Sequence, residues 1–282
     1  MNMPKIVTNQ FRCKLCHSEN TLLLYHFSGI EIKEFIPRFN KTYKKNFTKD
    51  LEIADDDIFS LVRCRSCDFA FIANPLSPAK LHRLYEKIVG PKQSEHRELF
   101  LNIWLDLFSV IKSGRILDTG CGWGEFLQIG LSLGFDCYGY EFDRKKYSLL
   151  KIKGIKMIHR LDKPDTKYDF ILLNQVLEHV IDPVNLAKAC RKLIKNSGCL
   201  LVAVPDFSSL DQILVKFKYG QKITKTLNPL EHINYFTPQS LKRLLSSVGF
   251  SVRDYYPYRF ENWHSPLGII KLGENFLSFW RY

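Results

Sequence analysis

The sequence lacks any apolar run of the roughly 18 residues that a membrane-spanning helix requires. Its first residues, Met1 to Lys5, also lack the apolar stretch of a secretory signal. Neither an internal repeat nor a low-complexity segment is present, and 45% of the residues are hydrophobic, which excludes wholesale disorder. We therefore expect a globular protein that resides in the cytoplasm.

Acidic residues are scarce relative to basic ones. The 282 residues include 29 Asp and Glu against 41 Lys and Arg, which gives a net charge of +12 and suggests an anionic partner. However, the densest lysine cluster, in residues 41–49, is followed at once by Asp50, Glu52 and three acidic residues at 55–57. A mixed-charge insertion explains this segment better than a nucleic-acid surface. No DNA partner is expected, and RNA is kept as the alternative to a smaller acceptor.

Eight cysteines are present, and in a cytoplasmic protein they favour free thiols or metal ligands over disulfides. Four of them form two Cys-x-x-Cys pairs, Cys13 with Cys16 and Cys64 with Cys67. Because two residues between thiolates let both sulfurs face one ion, the two pairs predict a tetrahedral structural zinc site. Redox-active or unrelated cysteines are the alternative. The others stand singly and are expected to be small core residues: Cys121, Cys137, Cys190 and Cys199.

From residue 115 onward, short apolar runs alternate with helical periodicity. This alternation predicts an α/β fold, a doubly wound and mostly parallel sheet with helices on both faces. The apolar tail at 266–282 is predicted to be helical, so no seventh strand is expected. Strands are predicted at residues 115–118, 137–141, 156–159, 168–174, 199–205 and 251–258. Helices are predicted at residues 124–133, 144–151, 183–195 and 238–247.

A glycine turn joins the first of these strands to its helix. Gly120, Gly122 and Gly124 follow Asp118 there, and glycines at such a turn let the backbone approach a ligand closely. About 20 residues further on, Glu141 ends a second apolar run, where a carboxylate can grip a ribose diol. Asp118 would repel a phosphate, but it suits a ligand that carries an ammonium group.

This pattern resembles motif I of the class I S-adenosylmethionine-dependent methyltransferases, and the resemblance extends from about Arg115 to Phe250. It implies a Rossmann-like fold with S-adenosylmethionine as the methyl donor. By this resemblance the Asp118 position holds the methionine end and the Glu141 position the ribose hydroxyls. The alternative is an α/β domain whose glycines only make a tight turn. The implied donor site consists of Asp118, Gly120, Cys121, Gly122, Gly124, Glu141, Phe142 and Asn174.

The second cysteine pair, Asn74-Pro75, Leu81 and Leu84-Tyr85 resemble the zinc-ribbon leader of bacterial methyltransferases that act on sugars and surface glycans. This resemblance implies a zinc-ribbon-like module with its linker in residues 1–85 and a donor-binding methyltransferase domain in residues 86–282. It also implies that the acceptor is a small molecule or a glycan.

Two acid–histidine pairs are candidates for catalysis. Glu231-His232 resembles the pair in sugar C-methyltransferases whose histidine deprotonates carbon beside a ketone. His232 positioning its loop or contacting the donor is the alternative. Glu178-His179 resembles a segment of quinone-biosynthesis O-methyltransferases that binds a metal through two acids and a histidine. Because Gln175 replaces the first acid, the pair is expected to line the cleft floor or cap a helix. The catalytic candidates are His232, Glu231 and His179.

The sequence therefore predicts methyl transfer to a sugar or glycan intermediate, on oxygen or on carbon. A zinc-ribbon ribosomal RNA base methyltransferase and a non-catalytic zinc-ribbon adaptor are the alternatives. The apolar tail at 266–282 is expected to pack against the domain or a partner subunit, with contact to a membrane surface as the alternative.

Overall fold

The computed structural model describes residues 11–39, 47–88, 97–162, 166–218, 227–252, 254–258 and 267–271. Strands in these stretches are β1 (Thr21–Ser28), β2 (Ile58–Cys64), β3 (Ala70–Ile72), β4 (Arg115–Thr119), β5 (Asp136–Tyr140), β6 (Lys156–Met157), β7 (Tyr168–Asn174), β8 (Ile194–Pro205), β9 (Asn234–Tyr235), β10 (Asp254–Tyr258) and β11 (Leu267–Lys271).

Helices in the same stretches are α1 (Gly29–Phe39), α2 (Phe47–Asp50), α3 (Pro78–Ile88), α4 (Arg97–Val110), α5 (Glu125–Ser132), α6 (Tyr147–Ile152), α7 (Pro183–Leu193), α8 (Leu210–Lys218) and α9 (Pro238–Ser247). Several begin at capping residues. Asp182 accepts a hydrogen bond from Asn185 N at the start of α7, and Thr237 forms a capping box with Ser240 at the start of α9.

The larger sheet has the order β10-β11-β8-β7-β4-β5-β6. Its strands β8, β7, β4, β5 and β6 are parallel. As predicted, helices lie between β4 and β5, between β5 and β6 and between β7 and β8. The α/β fold with a mostly parallel sheet is confirmed. The strand order reverses between β4 and β7, so a crevice opens where the carboxyl ends of these two strands lie side by side.

The prediction of a helical tail was wrong for residues 267–271. They form β11, a seventh strand that lies antiparallel between β8 and β10. Two β-branched isoleucines in a short apolar run suit a strand as well as a helix, and the open edge of β8 supplies a partner for pairing. Residues 272–282 lie outside the described residues, so contact of the tail with a membrane or a partner subunit stays a prediction.

A second, antiparallel sheet has the order β1-β2-β3-β9 and contains both cysteine pairs at its turns. Its fourth strand comes from far along the chain, because Ala70 pairs with Tyr235. The sequence analysis predicted neither β9 nor α8, although Leu210, Ile213, Leu214 and Phe217 recur at helical spacing and are all buried.

Three apolar clusters hold the molecule together. One contains β2, α8 and the segment before β9, with Phe27, Leu61 and Leu230 buried in it. The other two cover opposite faces of the larger sheet, and the one beneath α7 and α9 also contains Cys13, Cys64 and Cys67. The cysteine-containing segment is therefore packed directly on the α/β core. Among the described residues, no helix combines the length and apolarity that crossing a membrane requires.

Candidate active site

Three glycines curve the backbone between β4 and α5, at the carboxyl edge of the sheet. Gly120, Gly122 and Gly124 have φ angles of 83°, 53° and 74°, a left-handed region that residues with a Cβ rarely adopt. A Cβ at Gly120 would lie 2.7 Å from Val176, whereas a Cβ at Gly122 would meet no atom within 4 Å. The turn is packed at Gly120 and open at Gly122, so a ligand can approach the backbone there.

Glu141 directly follows β5 and reaches across to the glycine turn. Its Oε2 accepts a hydrogen bond from Gly122 N at 2.8 Å, and its Oε1 accepts one from Asp143 N at 3.0 Å. The Lys146 Nζ atom lies 3.8 Å from Oε1. The carboxylate is thus held beside the opening, where its oxygens can accept hydrogen bonds from the hydroxyls of a ribose.

Asp118 ends β4 beneath the same turn and is only 4% exposed. Burial, with a smaller contribution from the negative charge of Glu141, raises the pKa of Asp118 to about 8. An ammonium group placed against this carboxyl would favour its ionised form. The position therefore suits the amino group of S-adenosylmethionine and opposes a phosphate.

The other predicted donor-site residues occupy different positions around the turn. Phe142 is 55% exposed and lines an open cavity together with Leu161, Asp162 and Val180. The Oδ1 atom of Asn174, at the end of β7, is buried and has no hydrogen-bond partner among the described residues. These two residues are available to a ligand in the crevice.

Cys121 differs from the others, because its side chain is buried and would touch a Cβ at Gly139 in β5. Its backbone N–H donates to Tyr140 O at 3.1 Å. The thiol therefore packs between the turn and the sheet, as predicted for a small core residue. Its part in donor binding stays a prediction.

The predicted catalytic residues lie together at the carboxyl end of β7. The rings of His179 and His232 are 4.9 Å apart, and the Nδ1 atom of His179 lies 2.9 Å from Glu231 O. Tyr85 from α3 stacks edge-on against His179 at 5.8 Å, and Phe207 lies 6.2 Å from the His232 ring. The second sheet and the larger sheet thus both contribute to this cluster.

Burial shifts the pKa values of this cluster so that the neutral forms of its side chains are favoured. Burial raises the pKa of Glu178 to about 8 and that of Glu231 to about 7. Burial and the neighbouring His232 lower the pKa of His179 to about 3. The site therefore combines neutral imidazole with carboxyl groups that resist ionisation until an opposite charge is supplied.

Glu178 does not cap a helix, one of the two roles predicted for it, because Asp182 caps α7. Glu178 is 0% exposed and its Oε1 lies 3.7 Å from His179 Nε2. Phe207 and Tyr235 were not predicted at the site. Tyr235 lies in the same segment as His232, whereas Phe207 follows β8. Their rings are 4.7 Å apart, a long-range contact that residue spacing does not encode.

The four predicted zinc ligands converge on one point. The Sγ atoms of Cys13 and Cys67 are 3.6 Å apart and those of Cys16 and Cys64 are 3.5 Å apart. Four sulfurs at about 2.3 Å from a tetrahedral zinc ion are separated by about 3.8 Å. The sulfur atoms therefore already have close to the spacing of a zinc site.

The two cysteine pairs also share one backbone conformation. His17 and Asp68, the residues after each pair, have φ angles of 61° and 58°. Each donates its N–H to the carbonyl of the first cysteine, at 3.0 and 2.9 Å respectively. In the first turn, Leu15 N lies 3.4 Å from Cys13 Sγ, so the backbone amide supports the sulfur. The two matching turns thus bring the four sulfur atoms to one place.

Comparison with known proteins identifies the class. The methyltransferase domain family matches residues 83–255, and the chain belongs to that family. It is an S-adenosylmethionine-dependent methyltransferase, and the glycine turn with Asp118 and Glu141 lies within the matched region.

Individual relatives are distant. A ubiquinone biosynthesis O-methyltransferase of Aliivibrio fischeri is 22% identical over 173 residues, which cover 55% of this chain and 71% of that protein. An uncharacterized protein of Methanocaldococcus jannaschii is 25% identical over 146 residues, covering 50% of this chain and 66% of that protein. The structure of magnesium protoporphyrin IX methyltransferase from Synechocystis PCC 6803 gives a TM-score of 0.49 at 16% identity, covering 67% of this chain and 93% of that one.

Replacing Glu141 should weaken donor binding. Glu141→Ala removes the acceptor proposed for the ribose hydroxyls, and we expect a loss of about 1–3 kcal/mol, as for hydrogen bonds to a charged group. Calorimetric titration with S-adenosylmethionine measures it, and Glu34→Ala on the exposed side of α1 is the control. Unchanged affinity in Glu141→Ala would place the ribose elsewhere.

Donor affinity should rise with pH across the range in which Asp118 ionises. Because its pKa is about 8 in the ligand-free protein, raising the pH from about 6 to 8 increases the ionised fraction that pairs with the donor's ammonium group. Asp118→Asn should bind more weakly and flatten this dependence, and a donor analogue without the amino group should show none. An affinity that falls with pH would refute the pairing.

Proposed function

We propose that the protein methylates a hydroxyl oxygen of a sugar or a glycan biosynthetic intermediate in the cytoplasm. The observation that carries this proposal is the polar cluster beside the donor crevice, in which Glu178 and His232 are buried and His179 and Glu231 are partly buried. Carboxylate and imidazole groups accept and donate hydrogen bonds to hydroxyls, so such a wall suits a polyhydroxylated acceptor.

The same wall disfavours RNA as the acceptor. The wall offers no positive charge to bind a phosphate, because its acidic residues are Glu178 and Glu231 and burial keeps the His179 imidazole neutral. On the donor side, Lys146 lies beside Glu141 and Asp143 at 3.8 and 3.9 Å. Sequence-specific RNA recognition also relies on exposed stacking aromatics. The aromatic residues at this cluster are buried (Phe207 and Tyr235) or half-buried (Tyr85).

Methyl transfer to a hydroxyl requires alignment and loss of one proton. The acceptor oxygen forms a bond to the methyl carbon while the carbon–sulfur bond of the donor breaks. The electron pair of the broken bond stays on sulfur, so the sulfonium becomes a thioether. The hydroxyl proton leaves to solvent. The protein's contribution is to hold oxygen, carbon and sulfur in line and to stabilise the oxygen as its charge develops.

We also propose that the four paired cysteines hold a structural zinc ion. Their sulfur spacing and the two matching turns support it, and so does the conflict among the thiols: hydrogen bonding from Cys67 lowers the pKa of Cys13, while the pKa of Cys67 is raised. A bound cation would favour the thiolate form of every ligand. The ion would fix the turns that lead into β1 and β3, the latter being the strand that pairs with β9.

His232 should matter for turnover and not for donor binding. It lies on the acceptor side, so His232→Ala should lower the rate of methyl transfer by roughly 100-fold or more while donor affinity stays unchanged. The assay screens nucleotide-linked sugars, lipid-linked glycans and ribosomal RNA with labelled donor. The control is His82→Ala, at an exposed position of α3.

Full activity of His232→Ala on its acceptor would show that this residue only supports the loop. Methylation of ribosomal RNA alone would replace the proposed acceptor class. Transfer to carbon beside the ketone of a keto sugar, with no transfer to hydroxyls, would establish C-methylation instead.

The structural zinc ion should be held by the four paired cysteines. Cys67→Ser should lose the ion and unfold at a lower temperature, because zinc binding contributes directly to folding. Cys190→Ala, which alters a buried cysteine of α7, should lose stability without losing the ion. Metal analysis of freshly purified protein with calorimetry measures both, and wild-type protein without cysteine-dependent zinc would refute the proposal.

A further inference from the structure

Glu178 is buried beside His179 and His232, with both of its carboxyl oxygens unpaired within the described part of the chain. It is 0% exposed, and neither carboxylate oxygen has a hydrogen-bond partner among the described residues. An ionised carboxylate that is buried without partners costs several kcal/mol. Both of its neighbours in the cluster, His179 and His232, bring nitrogen atoms toward it. A cation bound between these three residues would stabilise the ionised form of Glu178 and give its oxygens a partner.

His179 is oriented as a metal ligand would be. Its Nδ1 lies 2.9 Å from Glu231 O, and because a carbonyl oxygen only accepts, Nδ1 must carry the proton. The lone pair is then on Nε2, which lies 3.7 Å from Glu178 Oε1. Two ligands at about 2.1 Å from a tetrahedral ion are about 3.4 Å apart. A hydrogen bond from the far ring nitrogen to a carbonyl is also the usual support for a metal-binding histidine.

His232 supplies a third donor. One ligand atom from each of Glu178, His179 and His232 lies within 4.8 Å of the other two. Ligand atoms grouped this closely can reach a single ion. This set is chemically distinct from the four cysteines, because it offers nitrogen and oxygen in place of sulfur.

We propose that Glu178, His179 and His232 form a second metal site, which binds a divalent transition ion next to the methyl donor. Two imidazoles and one carboxylate suit Zn²⁺, Fe²⁺ or Mn²⁺ rather than Mg²⁺, which prefers oxygen ligands. Three protein ligands leave a position open for the acceptor oxygen. This role rests on the proposed hydroxyl methylation.

The ion gives the cluster a specific task in that reaction. A hydroxyl bound to a divalent cation loses its proton more easily, and the cation fixes the oxygen in position for attack. His232 then acts on the acceptor as a metal ligand and not as a base. The positive charge also offsets Glu231, whose backbone carbonyl supports His179 from the outer side.

The experiment compares the ion content of matched variants of the full-length protein. Wild type, Glu178→Gln, His232→Gln and His82→Gln are dialysed against Zn²⁺, and bound zinc per chain is measured by mass spectrometry. We expect wild type and the exposed control His82→Gln to hold one more ion per chain than Glu178→Gln and His232→Gln. The affinity for that ion should fall by at least about 100-fold in both cluster variants.

The comparison does not depend on the cysteine site, because every variant retains it. Circular dichroism establishes that the variants are folded, and the two cluster substitutions act independently should one of them misfold. Equal ion content in wild type and in folded Glu178→Gln or His232→Gln would overturn the second site.

Methyl transfer separates this inference from the function on which it rests. If removal of the extra ion with a mild chelator abolishes hydroxyl methylation and Zn²⁺ or Mn²⁺ restores it, the metal acts on the acceptor. Hydroxyl methylation that is unaffected by its removal would overturn the metal's role and leave the proposed function intact. A protein that binds the extra ion and methylates no hydroxyl would overturn the proposed function and leave the site.

Discussion

Hydrogen bonds between the segment after β7 and strand β9 determine how the two sheets meet. The carbonyl of Glu178 accepts from Ile233 N at 2.7 Å and from Asn234 N at 3.0 Å. The buried side-chain amide of Asn234 donates to Leu177 O at 2.8 Å and to Val180 O at 2.6 Å. Because these bonds are buried, leaving their partners unsatisfied would cost about 1–3 kcal/mol per group. This junction brings His232 against His179.

The same junction explains why the cysteine-containing segment is adjacent to the active site. Strand β3 follows the second cysteine pair directly, and it pairs with β9 through Ala70 and Phe71. The amide of Ile72 donates to Ile233 O at 2.8 Å, one residue from His232. A metal-bound turn before β3 would thus be connected by a short run of backbone hydrogen bonds to the acceptor side. The donor side depends instead on β4 and β5.

Burial of the Asp118 carboxyl makes the stability of the ligand-free protein depend on pH. The unfolded chain releases the proton of Asp118 near its ordinary pKa of about 4, whereas the folded chain retains it up to about pH 8. Across that range, rising pH lowers the stability of the ligand-free protein. A bound ammonium group reverses this effect by stabilising the ionised carboxyl. At high pH, binding of the donor's ammonium group should therefore stabilise the folded protein.

Local features of the sequence predicted the strands and turns of the donor half, whereas the binding roles of its residues stay predictions. The glycine turn, the acid after β5 and the two cysteine pairs depend on residue type and short spacing, and the strand predicted at residues 168–174 coincides with β7. Three features could not be found this way. Strand β9 has two residues and no periodicity, its pairing joins Ala70 to Tyr235, and the short apolar run of β11 fits a helix as well as a strand. The cluster of Glu178, His179 and His232 depends on strand β9 and on its pairing with β3.

The most direct test of the central claim measures backbone hydrogen exchange in wild type, in Asn234→Ala and in the exposed control Gln239→Ala. If the junction couples the two sheets, Asn234→Ala should lower protection at residues 177–180, at Ile233 and at β3 together, because these amides open as one cooperative unit. Gln239→Ala should leave all of them protected. Loss of protection confined to the immediate neighbours of Asn234, with β3 unaffected, would contradict the coupling.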